Sequence, residues 1–279
     1  MIISPKFLVE KDIFEENLVE LIDAIHFCGY QYKVDSYVPF EGTKIKELFN
    51  EHDCVVAHCS LQMASYIQRN CSWIPGVFYN RKNYECTSYY NMFGNYLLNS
   101  RYIMLPYGEL IRQKDFLIET LGNNNCLFVR PNSGYKIFTG TVIDCNDYAD
   151  SVKKLGFYDV YDNDLVVVSE PKNILREWRF VIYKNRIVAS SLYKEHDKHI
   201  QEEGSPKEVY DYVSVVAKTN WRPDLIWTLD VCETNEGFFV IEIGSASCSG
   251  LYKCNKKEVV KAMAEAAAEE WININQVQY

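Results

Sequence analysis

The segment LIWTLDVCETNEGFFVIEIGS, residues 225–245, decides the reading of this chain. Both halves are apolar and rich in strand-forming residues. Asn235-Glu236-Gly237 lies between them as a turn signal, so the segment predicts a β-hairpin. One carboxylate stands inside each arm, Asp230 in WTLDV and Glu242 in VIEIG, with apolar neighbours on both sides. Burying a carboxylate is costly unless a cation pairs with it. Counted outward from the turn, the two positions are close enough in register to share one face. Two readings of the pair stand open. Strand-borne carboxylates presented together suit Mg²⁺, which takes oxygen ligands and completes its octahedron with phosphate and water. They suit salt bridges to arginines equally well.

Candidate cations lie on neighbouring predicted strands. CLFVRP (126–131) and KIFTGTVID (136–144) read as two strands around a tight NSGY turn, with Arg130 ending the first and Lys136 starting the second. REWRFVIYKNRIVASSLY (176–193) reads as a long hairpin pivoting at Lys184-Asn185, with Arg179 inside its first arm. Arginine's planar fork suits bidentate phosphate or carboxylate binding, and lysine supplies a compact charge. Ser133 and Gly134 in the turn would let backbone N–H groups approach an anion. DLVVVSEP (164–171) is a buried strand ended by a carboxylate and a proline. It reads either as an ordinary strand and turn or as a hinge whose main chain meets an adenine edge.

Helices are expected at 107–121, in DYADSVKKLG (147–156), in PKEVYDYVSVVAKT (206–219) and in KKEVVKAMAEAAAEEWI (256–272). In the amino-terminal third, residues 13–28 are helical by spacing, DCVVAHCS (53–60) reads as a buried parallel strand and LQMASYIQRN (61–70) as a helix. Cys54 and His58 read as strand-core and strand-end residues. Residues 74–107 read as irregular, and the domain boundary is expected near residue 105. KEHDKHI (194–200) reads as a charged loop, in which His196 and His199 have no further ligand nearby.

With 279 residues, 48% hydrophobic and 24% charged, the composition is that of a globular protein with a substantial core. A net charge of −9 argues against general nucleic-acid binding. The ten cysteines form no CxxC pair, no signal peptide is visible and no long apolar run suggests a membrane span. Reduced thiols in a cytoplasmic setting are the simplest expectation.

The order of these elements resembles the ATP-grasp fold over roughly residues 105–279, and most of all the clade named for two arginines and one lysine. The resemblance implies an α/β (α+β) chain: an amino-terminal α/β domain over 1–105, then an ATP-grasp module over 106–279, divided into 106–168 and 169–279. It implies that ATP and Mg²⁺ bind between the two subdomains. By resemblance Arg130 takes the place of a strand-end lysine facing the phosphates, and Lys136 is the clade's lysine. Glu170, Pro171 and Lys172 belong to the hinge at adenine and ribose. Glu177 and Arg179 match the EWR element, with Arg179 facing the γ-phosphate or the substrate carboxylate. Asp230 and Glu242 match the magnesium-binding acids. One departure is Gly244, where the family usually has an asparagine as a further metal ligand; Ser245 or a water is expected to substitute.

The activity implied is ATP-dependent ligation of a carboxylate to an amine (or thiol) through an acylphosphate, on a small molecule, peptide or protein. The alternatives are a phosphotransferase and a nucleotide-binding protein without turnover. Such chemistry asks the protein for positioning and charge neutralisation rather than for a nucleophile.

Overall fold

The computed structural model of the protein describes residues 3–39, 42–135, 137–156 and 160–276. Lys136, one of the expected site residues, lies outside the described residues.

Three sheets organise the chain. The first is parallel, with strands β1 (Lys6–Glu10), β2 (Gln31–Asp35), β3 (Cys54–His58) and β4 (Ile74–Gly76) in the order β2-β1-β3-β4. The second is antiparallel, with β5 (Tyr102–Pro106), β6 (Cys126–Pro131), β7 (Thr141–Asp144) and β8 (Leu165–Ser169) in the order β5-β8-β6-β7. The third, also antiparallel, holds β9 (Arg176–Tyr183), β10 (Arg186–Glu195), β11 (Lys198–Glu203), β12 (Ile226–Thr234) and β13 (Gly237–Ser245). Its order is β11-β10-β9-β12-β13. The helices are α1 (Glu15–Phe27), α2 (Leu61–Asn70), α3 (Cys86–Phe93), α4 (Glu109–Arg112), α5 (Lys114–Leu121), α6 (Tyr148–Leu155), α7 (Lys207–Val216) and α8 (Lys256–Gln276).

KFLVE and CVVAH are nearly continuous apolar runs because the first sheet is covered on both faces. Phe7, Val9, Cys54 and Val56 pack with Leu21 and Ile25 of α1 and with Val259, Val260 and Met263 of α8. Their neighbours Leu8, Val55 and Ala57 pack with Met63, Ala64 and Ile67 of α2. The third sheet divides its residues in the same way. Trp178, Phe180, Trp227 and Leu229 enter the core shared with α3 and α7, while Val181, Tyr183 and Ile226 enter the one built on α8. Burying each such side chain stabilises the fold by about 1.5–3 kcal/mol. Helix α8 is thus wedged between the first and third sheets. The carboxyl edge of the first sheet thereby meets the loop after β13: Cys59 N–H donates to Ser247 O, and His58 Nε2 lies 3.0 Å from Ser249 O.

Three local expectations need correction. Residues 74–107 are not irregular, since they hold β4, α3 and β5. The helix signal was present as Cys86, Tyr89, Tyr90 and Phe93, all buried and spaced i, i+3, i+4, i+7, but it was written in tyrosine. The strand expected from residue 136 begins only at Thr141. Before it, Phe138 turns into the core of the second sheet, and Gly140 runs so close to Phe128 that a Cβ would meet the ring at 2.8 Å. KEHDKHI is the turn of the β10–β11 hairpin, with His196 at φ 50°. Strand β11 lies at the sheet edge and carries no apolar alternation, which is why the sequence reads as a loop.

The ten cysteines are all free. Among the described residues no helix is long and apolar enough to cross a membrane.

Candidate active site

The hairpin that opened the sequence reading forms as expected, and its register is closer than the counting required. Asp230 and Glu242 are direct partners across β12 and β13. Asp230 is also the partner of Arg179 on β9, and Arg179 of Ser191 on β10. One transverse row, Ser191–Arg179–Asp230–Glu242, therefore crosses four strands. Period-2 alternation puts the row on one face, opposite the tryptophan core.

Both carboxylates meet arginines. Arg179 donates from Nε to Asp230 Oδ1 at 2.8 Å and from Nη2 to Oδ2 at 2.6 Å, a bidentate pair that is almost wholly buried. Its Nη1 donates to Gly250 O at 2.8 Å. Burial works against the guanidinium charge, but Asp230 more than offsets this and holds the Arg179 pKa above its ordinary value. Arg130 reaches across from the second sheet, donating to Ile241 O at 3.1 Å and to Glu242 Oε2 at 3.0 Å. Burial again opposes its charge, and Tyr89, Cys86, Tyr90 and Glu242 together raise its pKa. Four of the expected residues, on two sheets, thus form one cluster.

Aromatic rings wall the cluster. Tyr193 and Tyr252 stack with centroids 4.8 Å apart, and the Arg179 guanidinium carbon lies 5.9 and 5.0 Å from them. Tyr193 donates to Glu177 Oε2 at 2.7 Å, and Lys194 Nζ pairs with Glu177 Oε1 at 3.0 Å. Glu177 is therefore two residues from Arg179 on the same strand but bound into its own network. Burial, then Asp230 and Glu177, push the Tyr193 hydroxyl well above its ordinary pKa, so it stays a neutral donor.

The residues expected at the hinge stand apart from this cluster. Glu170 accepts from Asn123 Nδ2 at 2.7 Å and from Lys172 Nζ at 3.0 Å, and the lysine's hydrogen bond lowers its pKa. Glu170 and Lys172 line a cavity of about 180 Å³ together with Leu98, Asn99, Arg101 and Phe239. That is less than the ~300–1,000 Å³ of a typical small-molecule site. Pro171 lies between the two in sequence and does not line the cavity.

The donor set can be tested against a divalent cation. A carboxylate accepts about four hydrogen bonds, so a bidentate arginine and a metal ion are compatible on one group. Among the described residues no group of three or more His, Cys, Asp or Glu side chains could hold a metal. The acids thus come as a pair, and any third protein ligand must be neutral. Thr228 and Gly244 are direct partners one step along the same face, and a Cβ on Gly244 would lie 2.5 Å from Thr228 Oγ1 and 2.6 Å from Ser249 Oγ. A cradle of hydroxyl oxygens therefore fills the space beside the acids. Carboxylate and hydroxyl oxygens are the donors Mg²⁺ takes, and the set fits that ion. Ser245, the expected substitute, is committed elsewhere: its buried hydroxyl donates to Phe78 O at 2.5 Å and accepts from Ser247 N–H at 3.1 Å. Sequence reasoning also missed Tyr193 and Thr228, whose residue types signal nothing until the sheet registers are known, and Tyr252 and Ser249, which lie in the loop after β13.

A family model for the ATP-grasp domain, family 2 of the clade named for two arginines and one lysine, matches residues 110–262. No curated protein matches the chain. Among solved structures, D-cycloserine synthetase DcsG superposes with a TM-score of 0.69 at 12% identity, covering 95% of this chain and 100% of that one. D-alanine–D-alanine ligase from Bacillus anthracis gives 0.61 at 11% identity, with complete coverage of both chains. The ATP-grasp ligase PsnB, solved with a variant of its minimal precursor, Mg and ADP, gives 0.57 at 13% identity, covering 95% and 99%. At such identities the likeness concerns the fold, which is the mixed α/β architecture of ATP-grasp ligases.

Proposed function

Because the chain belongs to the ATP-grasp domain family, in family 2 of the two-arginine, one-lysine clade, we propose that it is an ATP-dependent carboxylate–amine ligase. The observation that carries this reading is the charged row: Arg179, Asp230 and Glu242 aligned across three strands, with Arg130 reaching them from the second sheet. In this reading 1–105 is a preceding domain, while 106–168 and 169–279 grip the nucleotide between them. The adenine lies at the hinge cavity of Glu170 and Lys172, and the triphosphate extends toward Arg130 and Arg179.

The substrate carboxylate attacks the γ-phosphorus, the bond to the β-phosphate oxygen breaks and ADP leaves. The amine then attacks the acyl carbon, phosphate departs with the bonding electrons, and the amine loses a proton. Asp230 and Glu242 would hold Mg²⁺, which supplies charge neutralisation at the phosphate oxygens when bound. Arg130 and Arg179 stabilise the negative charge that spreads over the transferring group, and Arg179 is already fixed in place by Asp230 and Gly250 O. The Tyr193–Tyr252 stack keeps water from one side of that arginine. PsnB, with its precursor, makes a peptide a sensible first carboxylate to try.

The test is separate measurement of ADP and free phosphate with a panel of amino acids and peptides. A ligase releases both, and only when carboxylate and amine are present together. Phosphate retained on the acceptor would make the protein a phosphotransferase, and no ADP with any substrate would leave a nucleotide binder. Arg179→Ala and Asp230→Asn are expected to abolish turnover. Full activity in either would remove the site assignment.

A further inference from the structure

Resting on the reading of Asp230 and Glu242 as metal-binding acids, we propose that the Ser249 hydroxyl, held in place by Thr228, is the neutral protein ligand completing this metal site. Four observations lead there. Among the described residues no third His, Cys, Asp or Glu joins the two carboxylates of the row, so a third protein ligand there would be an uncharged oxygen. Gly244 stands one step along the same face from Glu242 and has no side chain to offer. The space that a side chain at 244 would fill is taken instead by Thr228 Oγ1 and Ser249 Oγ, 2.5 and 2.6 Å from the position of its Cβ. In an asparagine the amide oxygen lies roughly 2.4 Å from its own Cβ, by ordinary bond lengths and angles. Both hydroxyl oxygens thus lie about as far from that Cβ as the amide oxygen of an asparagine at 244 would.

The two hydroxyls are not equivalent. Thr228 Oγ1 donates to Ser249 Oγ at 3.2 Å, and Thr228 is fully buried whereas Ser249 keeps part of its surface open. The donated hydrogen occupies one lone pair of the serine oxygen and leaves the other as the outward acceptor, the relation a supporting residue has to a metal ligand. Ser249 is fixed from behind as well, because its carbonyl meets His58 at 3.0 Å and the next carbonyl, of Gly250, accepts from Arg179. A neutral hydroxyl adds no negative charge to a site where two arginines already face two acids. It would therefore bind the cation without competing with those arginines for the carboxylates.

The experiment uses the full chain, Mn²⁺ as an oxygen-seeking stand-in for Mg²⁺, and a non-hydrolysable ATP analogue. Bound Mn²⁺ is followed by electron paramagnetic resonance, and metal-free analogue binding is measured alongside by calorimetry. Ser249→Ala is expected to weaken Mn²⁺ binding by at least about tenfold, and Thr228→Val, which keeps the shape and removes the donor, by about tenfold. Metal-free analogue affinity and the melting temperature of Ser249→Ala should stay at the wild-type level. Wild-type Mn²⁺ affinity in Ser249→Ala, with Asp230→Asn losing the metal, overturns the hydroxyl assignment and leaves the site reading standing. A wild-type protein that binds the analogue but no Mn²⁺ overturns both.

Discussion

Two acid–cation pairs, Asp230 with Arg179 and Glu170 with Lys172, contain the same chemistry in opposite surroundings. The first is bidentate, held on two neighbouring strands, with side chains 4% and 10% exposed. The second is a single contact between residues two apart in a loop, 31% and 30% exposed. Breaking a buried pair strands a charge that water cannot reach, which costs about 3–5 kcal/mol. An exposed pair contributes about 0–1 kcal/mol, because water and salt replace either partner. The row on β9, β12 and β13 is therefore part of what holds the third sheet together, whereas water can stand in for either partner of the Glu170–Lys172 pair.

That contrast is broken most directly at Arg179. Arg179→Ala should lose about 3–5 kcal/mol in urea denaturation; a loss below about 1 kcal/mol would mean that the row is not structural. The next effect concerns two other buried groups, titrating in opposite senses. Burial lowers the His58 pKa from 6.5 to about 4, so as pH falls below 6.5 the unfolded chain takes up a proton that the folded chain refuses, and stability drops. Burial raises the Asp224 pKa from 3.8 to about 6, despite hydrogen bonds from Tyr84 and Asn80 that oppose it. As pH falls from about 6 the folded chain takes up that proton first, and stability rises. Each contribution is about 3 kcal/mol at most, less for Asp224, which keeps some contact with water. The two offset each other between pH 4 and 6.5. Asp224→Asn should expose the His58 slope, seen as a melting temperature that falls with acid faster than in the wild type; parallel curves would contradict it. The smallest effect is at the hinge. Lys172→Ala should change stability by less than about 1 kcal/mol while weakening ATP-analogue binding severalfold by calorimetry. A large stability loss there would erase the distinction.

The row was legible in sequence because it is written in strands. Apolar flanks around Asp230, Glu242 and Arg179 announce charges inside a sheet, and the turn at Asn235 to Gly237 fixes the register that joins two of them. What escaped was assembled by long-range contact. Tyr252 and Ser249 come from a loop with no periodicity, and reach Arg179 and Thr228 only because α8 draws that loop against the first sheet. The hinge cavity joins residues near 98, 170 and 235, which no local pattern connects. Helix α3 was hidden for a different reason: its buried face is largely tyrosine, which looks polar to any reading of hydrophobic spacing. Tyrosines 89 and 90 of that helix are the groups beside Arg130.

The cradle at Gly244 also limits the order in which this sequence can change. A side chain added there first would force two hydroxyls to move, since its Cβ would meet them at 2.5 and 2.6 Å, one of them on the fully buried Thr228. An asparagine at 244 becomes accessible only after both Ser249 and Thr228 have given way. If the hydroxyl is the metal's ligand, that first step removes the donor before its replacement exists. Passage between the two ways of supplying a neutral oxygen therefore runs through a sequence that binds the metal more weakly.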